Sequence, residues 1–341
     1  MGWGGSSSQK SSLKFDEIFC LIRIKNRCDF YGEIKDVMSS IETISIIGAG
    51  ALGAAYASIF YDMDKNCVSF VAAGSRLERL RQEGVIVNGK KYFIPVLPSE
   101  DLSPPADLMI VAVKHHHLDE ALREMKNRVG KETIIISVMN GIESEEQISA
   151  VYGMEKVLYA VSVGIDAVRE GNQVTYTKQG KIFFGEAKNL TLTERVKRVQ
   201  ALFDRAGIVY ETHPDMIRML WWKFMVNVGI NQASAVLRAP YSVFQTSQEA
   251  QDLMESAMQE VIMIAKKADV KLSEEDTKGF YQFLSVLGPQ GKTSMLQDVE
   301  AGRKTEVEMF AGKIIELGKH YGVPTPVNQM FFDSIKKIEM T

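Results

Sequence analysis

Cysteine is scarce in this 341-residue chain: Cys20, Cys28 and Cys67 stand at spacings that match neither a metal site nor a redox pair. An odd, sparse set without a secretory signal argues against a disulfide framework and fits a reducing compartment. No apolar run reaches the roughly 20 residues that a membrane-spanning helix needs. An excess of either charge is also missing. Lys and Arg number 40, Asp and Glu 43, the basic residues are scattered, and the formal net charge is −3. Nothing electrostatic therefore calls for nucleic acid or an anionic membrane as partner, and the cytoplasm is the expected location.

What is present is a globular composition, 45% hydrophobic and 24% charged, with material for about two domains. Residues 1–40 read as an N-terminal extension. Its first dozen residues are rich in Gly and Ser and are expected to be poorly ordered. The apolar stretch 18–24 is interrupted by Arg23 and followed by Lys25 and Arg27, too short and too charged for a signal-peptide core. Met38 stands just before Ile41, so the functional chain is expected to start near Met38, with a surface arm packed on the fold as the alternative.

Residues 41–60 read IETISIIGAGALGAAYASIF. Ile44, Ile46 and Ile47 suit a β-strand, and the apolar run from Ala54 to Phe60 suits a helix. Between them lies G-x-G-x-x-G at Gly48, Gly50 and Gly53, with Ala49, Ala51 and Leu52 in the intervening positions. The first glycine permits the tight turn, the second lets a pyrophosphate approach the backbone, and the third lets helix pack on strand. The helix start then offers unpaired N–H groups to phosphate. A second strand, 67–72, ends in Ala73, Gly74, Ser75 and Arg76. Enzymes that use NAD usually carry a carboxylate there for the ribose hydroxyls. Its absence, with Arg76 nearby, points to the 2′-phosphate of NADP, since a guanidinium pairs bidentately with phosphate. The alternative for Arg76 is a solvated charge on the next helix.

A third strand, 108–113, ends in Lys114 and the run His115, His116, His117. The histidines lack further ligands at metal spacing and read as a polar loop, so no metal is expected. Lys114, like Asn140 after the strand 133–139, sits at a carboxyl edge where parallel sheets bind ligands. Alternating and extended runs over 156–186 suggest a mixed-sheet extension of the same domain. A helix over 191–206 and a last strand near 208–211 precede Pro214, a boundary signal. The expected fold is thus an α/β dinucleotide-binding domain of Rossmann type over 41–213, followed by an all-α domain over 214–341.

In that helical part, residues 216–234 form a bulky apolar helix on which Lys223, Asn227 and Asn231 recur at steps of four and share a face. Polar residues stacked on a buried helix are costly unless paired, which suggests a ligand-facing stripe; structural hydrogen bonds between helices are the alternative. Ser294 and Asp298 repeat the step of four further on. Glu306 follows, with Glu308 beside it, and periodicity alone does not choose between these two glutamates.

The combination GAGALG, VK and NG after successive strands, W-x-K-x-x-x-N-x-x-x-N, and SMLQD followed by TE resembles the ketopantoate reductase family, from about Ile41 to the last helix. The resemblance implies a cleft between the two domains, NADPH as cofactor, and reduction of 2-dehydropantoate to pantoate on the way to pantothenate and coenzyme A. It implies Lys223 as the proton donor to the C2 carbonyl oxygen and Glu306 as the partner of the substrate hydroxyl. Asn227, Asn231 and Ser294 would bind substrate, and Lys114 and Asn140 would lie near both nicotinamide and substrate. The glycine loop, Arg76 and Glu306 would complete the cofactor site. Where many members carry Arg directly after the second strand, this chain has Ala73. Two other functions remain: reduction of another small 2-keto acid on the same scaffold, and a non-catalytic NADP(H)-binding sensor. A homodimer is the one macromolecular assembly left open.

Overall fold

The computed structural model describes residue 1 and residues 40–340. The expectations for the N-terminal extension, with Cys20, Cys28 and Met38, lie outside the described residues. Among the described residues there are twelve strands, with helices between them: β1 (Ile44–Ile47), β2 (Val68–Ala72), β3 (Val85–Val87), β4 (Lys90–Tyr92), β5 (Val96–Pro98), β6 (Leu108–Val111), β7 (Ile134–Ser137), β8 (Val157–Val163), β9 (Val168–Glu170), β10 (Gln173–Thr175), β11 (Lys181–Gly185) and β12 (Tyr210–Glu211).

Eight of them make one sheet in the order β12-β11-β8-β7-β6-β1-β2-β5. From β5 to β8 every pairing is parallel, and only β8–β11 is antiparallel. The central strands β1, β6 and β7 are buried along their whole length, as sheets covered on both faces require. The chain reverses its direction of winding between β1 and β6. Ligands of doubly wound sheets bind at the carboxyl ends of strands flanking such a switch point. The region is thus Rossmann-like.

The expected extension over 156–186 divides. β8 and β11 do join the main sheet, but β9 and β10 pair with β3 and β4 in a separate four-stranded sheet. That sheet packs on the helix Ala51–Met63 through β3 and β10.

From Met216 onward the described structure is helical. The long helix Gln248–Lys267 is central to this part, with Met254, Ala257, Met258, Val261 and Ile264 fully buried. Its Glu260, 3% exposed, accepts from the backbone N–H of Val327 at 2.8 Å and of Asn328 at 3.0 Å, and from Asn328 Nδ2 at 2.7 Å. These bonds clamp the start of the helix Pro326–Glu339. Glu260→Ala would strand three donors, so stability is expected to fall by about 3 kcal/mol. Thermal unfolding checks this; an unchanged Tm would mean that the donors find other acceptors.

The apolar helix expected over 216–234 is not uniform. It runs as α-helix over Met216–Val226, opens into a π-helical turn over Asn227–Asn231, and resumes over Gln232–Leu237. The turn sits where Gly229 meets the central helix: a Cβ there would lie 2.6 Å from Met258 Cγ and 3.1 Å from the Met254 carbonyl. A second π-helical turn, Glu308–Gly312, begins two residues after Glu306. Such bulges often mark functional sites.

Candidate active site

The loop after β1 is tied to the end of β6. Gly48 has φ +101°, and a Cβ on it would stand 2.5 Å from the Ala112 carbonyl oxygen. A Cβ on Gly53 would lie 1.8 Å from the Gly48 carbonyl oxygen. Gly50 differs, since its nearest neighbour would be the Ala112 carbonyl oxygen at 3.9 Å. The space in front of Gly50 is therefore open, beside the first turn of the helix Ala51–Met63.

At the same edge, Lys114 Nζ donates to Asp298 Oδ2 at 2.7 Å and to the Lys304 carbonyl at 3.2 Å. Asp298 also accepts from Arg303 Nε at 2.9 Å. Glu306 is half-buried. One of its oxygens accepts from the His115 backbone N–H at 3.3 Å, the other from Asn140 Nδ2 at 3.1 Å. Burial raises its pKa above the ordinary value, against the pull of Asn140, His115 N–H and Lys114. Glu308 instead pairs with Lys336 at 2.8 Å, so geometry separates the two glutamates that periodicity could not.

Asn140 is the hinge of this network. It also accepts from Asn227 Nδ2 at 3.2 Å, and Asn231 Nδ2 reaches Ser294 Oγ at 3.4 Å. Asn227 and Asn231 are 3% and 6% exposed, yet each has a polar partner from another element. Lys223 lies one turn before Asn227 on the same helix. Its ammonium has no hydrogen-bond partner among the described residues, and burial pushes its pKa down to about 8. An amine so placed is mostly charged at neutral pH and gives up its proton far more readily than an ordinary lysine.

The structure thus joins Asn140, Asn227 and Glu306 in one hydrogen-bonded set, holds Lys114 on Asp298, and pairs Asn231 with Ser294. Arg76 is elsewhere engaged. It pairs with Glu120 at 2.9 Å and with the buried Glu124, so its charge is already balanced within the fold. The sequence also held no signal for Arg169 on β9. Its guanidinium donates to the carbonyl of Ala49, inside the glycine loop, and to the carbonyl of Gly171 at 2.8 Å. The histidine run, expected as a polar loop, instead forms a short 3-10 turn over His115–His117 that leads into the helix Leu118–Glu124, with His115 contributing through its backbone. Among the described residues no group of His, Cys, Asp or Glu is arranged to hold a metal, and no helix is long and apolar enough to cross a membrane.

Comparison with known proteins gives the family. A family model described as ketopantoate reductase PanE/ApbA matches residues 44–189, and the model for that family's C-terminal part matches residues 215–339. The 2-dehydropantoate 2-reductase of Aquifex aeolicus is 28% identical over 303 residues, covering 86% of this chain and 96% of the relative. Among solved structures, D-mandelate dehydrogenase with NADH and anilino(oxo)acetate has a TM-score of 0.78 at 21% identity, covering 87% of this chain and 98% of that one. The dimeric ketopantoate reductase of Staphylococcus aureus has a TM-score of 0.70 at 20% identity, with coverage of 87% and 99%.

Proposed function

The chain belongs to the ketopantoate reductase family of oxidoreductases, and on that premise we propose that it reduces 2-dehydropantoate to pantoate with NADPH, Lys223 acting as general acid. The observation that carries this reading is the half-buried Lys223, whose ammonium has a pKa lowered to about 8, one turn from a polar network that joins both regions of the molecule.

The residues present suit a dinucleotide. The open space before Gly50 is a cradle that a Cβ would begin to fill, and the helix start behind it turns N–H groups toward it. When bound, NADPH supplies the hydride to C2 of the keto acid. Lys223 stabilises the charge that develops on the carbonyl oxygen and releases its proton there. Asn227, Asn231 and Ser294 hold the substrate, while Glu306, fixed by Asn140 and His115 N–H, takes its hydroxyl. The cavity beside Glu306, about 110 Å³, is well under the ~300–1,000 Å³ usual for ligand sites. Lys114, held by Asp298 at 2.7 Å, would have to leave that contact to reach nicotinamide or substrate.

Residues 41–213 then serve as the nucleotide domain and 214–341 as the substrate domain. The reaction belongs to pantothenate and coenzyme A biosynthesis in the cytoplasm. The dimeric Staphylococcus relative supports a homodimer. A second reading keeps the scaffold and changes the acid, since D-mandelate dehydrogenase shares the fold at a TM-score of 0.78.

The test is NADPH oxidation, followed by absorbance, with 2-dehydropantoate and with an aryl 2-keto acid, each repeated with NADH. Preferred turnover of 2-dehydropantoate supports the first reading, and preference for the aryl acid the second. Above pH 8, kcat/KM for reduction is expected to fall about tenfold per pH unit as Lys223 loses its proton. Tight NADPH binding without turnover of any keto acid would make the chain a sensor.

A further inference from the structure

Resting on the reading of a dinucleotide at the glycine loop, we propose that Arg169 and Arg79 form the subsite for its adenosine 2′-phosphate. Arg169 comes from β9 of the small sheet, and its guanidinium is fixed against the loop by its bonds to the carbonyls of Ala49 and Gly171. Both acceptors are neutral. Among the described residues no carboxylate pairs with Arg169 or with Arg79.

The charges around Arg169 are instead of its own sign. Arg79 lies on the helix Gly74–Glu83 that follows β2, and Arg303 follows the helix Ser294–Glu300. Burial first, then these two cations, push the Arg169 pKa below the ordinary arginine value. Arg303 has Asp298 for company; Arg79 and Arg169 have no carboxylate partner among the described residues. A half-buried guanidinium held among like charges is costly unless an anion completes the arrangement.

Position selects which anion. The pyrophosphate is served by loop N–H groups and the helix start, which need no cation. The adenosine ribose lies at the carboxyl end of the second strand, and Arg79 stands on the helix that leaves that end, while Arg169 holds the Ala49 carbonyl of the glycine loop. Ala73 there offers no carboxylate to repel a phosphate. Arg76, nearer in sequence, would have to surrender Glu120 and the buried Glu124 to take part. Two guanidiniums without carboxylates suit a phosphate monoester, which they can bind by charge-assisted forks.

Equilibrium titrations of NADPH, NADH and 2′,5′-ADP against the full-length chain and its Arg79→Ala, Arg169→Ala and Arg169→Lys variants test this without recourse to turnover. Arg79→Ala, at an exposed position, is expected to weaken NADPH and 2′,5′-ADP about tenfold or more, the worth of one charge-assisted contact. NADH affinity should stay within about twofold. Arg169→Ala should do the same, with Arg169→Lys recovering part of the loss, and the unfolding temperature reports whether the loop survives. An equal loss of NADPH and NADH in Arg79→Ala, or no loss of either, overturns the subsite while leaving the dinucleotide reading intact. If the unmodified chain binds neither nucleotide, the dinucleotide reading fails, and the subsite with it.

Discussion

Lys223→Ala is expected to lower kcat by about three orders of magnitude, within the 10²–10⁴ range that a positioned general acid contributes, while NADPH affinity changes little. The retained rate should also lose its dependence on pH above 8, because the group that titrates there, at about 8, is gone. Lys223→Arg should be nearly as slow, since a guanidinium keeps its proton throughout the accessible range. Stability should move the other way. Burial depresses the Lys223 pKa, so the folded protein holds the charged amine at a cost below pH 8, relieved as pH rises through that value. With no hydrogen bond among the described residues to lose, the Ala variant should melt at the same temperature as the parent or higher. That is the trade between activity and stability found where a site is strained for function. Steady-state kinetics and a melting curve on one preparation suffice, and an unchanged kcat would remove Lys223 from the reaction.

How much of this was legible in the sequence depends on the range of the forces involved. The glycine loop was readable because its reasons are local: a turn at positive φ, a strand before and a helix after. The stripe of Lys223, Asn227 and Asn231 was readable from period alone, although the helix carrying it is broken by a π-helical turn. At about 4.4 residues per π turn, a step of four still comes close to a full circle, so Asn227 and Asn231 keep one face despite the break. The turn itself was not readable, because its cause is the close approach of Gly229 to Met254 and Met258 of another helix. Glu306 and Glu308 could not be ranked by position, since they differ in what faces them: Asn140 and the His115 N–H for one, Lys336 for the other. Arg76 shows the same limit. Its charge suited a phosphate until Glu120 and Glu124, more than forty residues away, were seen beside it. The small sheet was hidden because β10 finds β3 across more than eighty residues, and Arg169 was hidden with it.

Gly53→Ala and Gly50→Ala should separate the two tasks of the glycine loop. At Gly53 a Cβ would stand 1.8 Å from the Gly48 carbonyl oxygen and 3.2 Å from Ala112 Cβ. The first obstacle is backbone, which cannot swing aside as a side chain would. The helix Ala51–Met63 must then retreat from β1, although Ala54, Ala55, Tyr56, Ala57 and Phe60 are buried along it and Tyr56 Oη lies 2.7 Å from Ser162 Oγ of β8. Overpacking of this kind costs about 1–3 kcal/mol, a fall in Tm of roughly 5 °C for a chain of this size. NADPH affinity should fall about 100-fold or more as the helix N–H groups leave their aim. At Gly50 the nearest atom to a Cβ would be 3.9 Å away, so the fold should melt as before. The new methyl would nevertheless occupy the space through which a pyrophosphate approaches the backbone, and NADPH and NADH should weaken together. A Gly50→Ala variant that keeps both its Tm and its nucleotide affinity would mean that the phosphates do not lie at this loop, and the hydride donor would have to be sought elsewhere on the molecule.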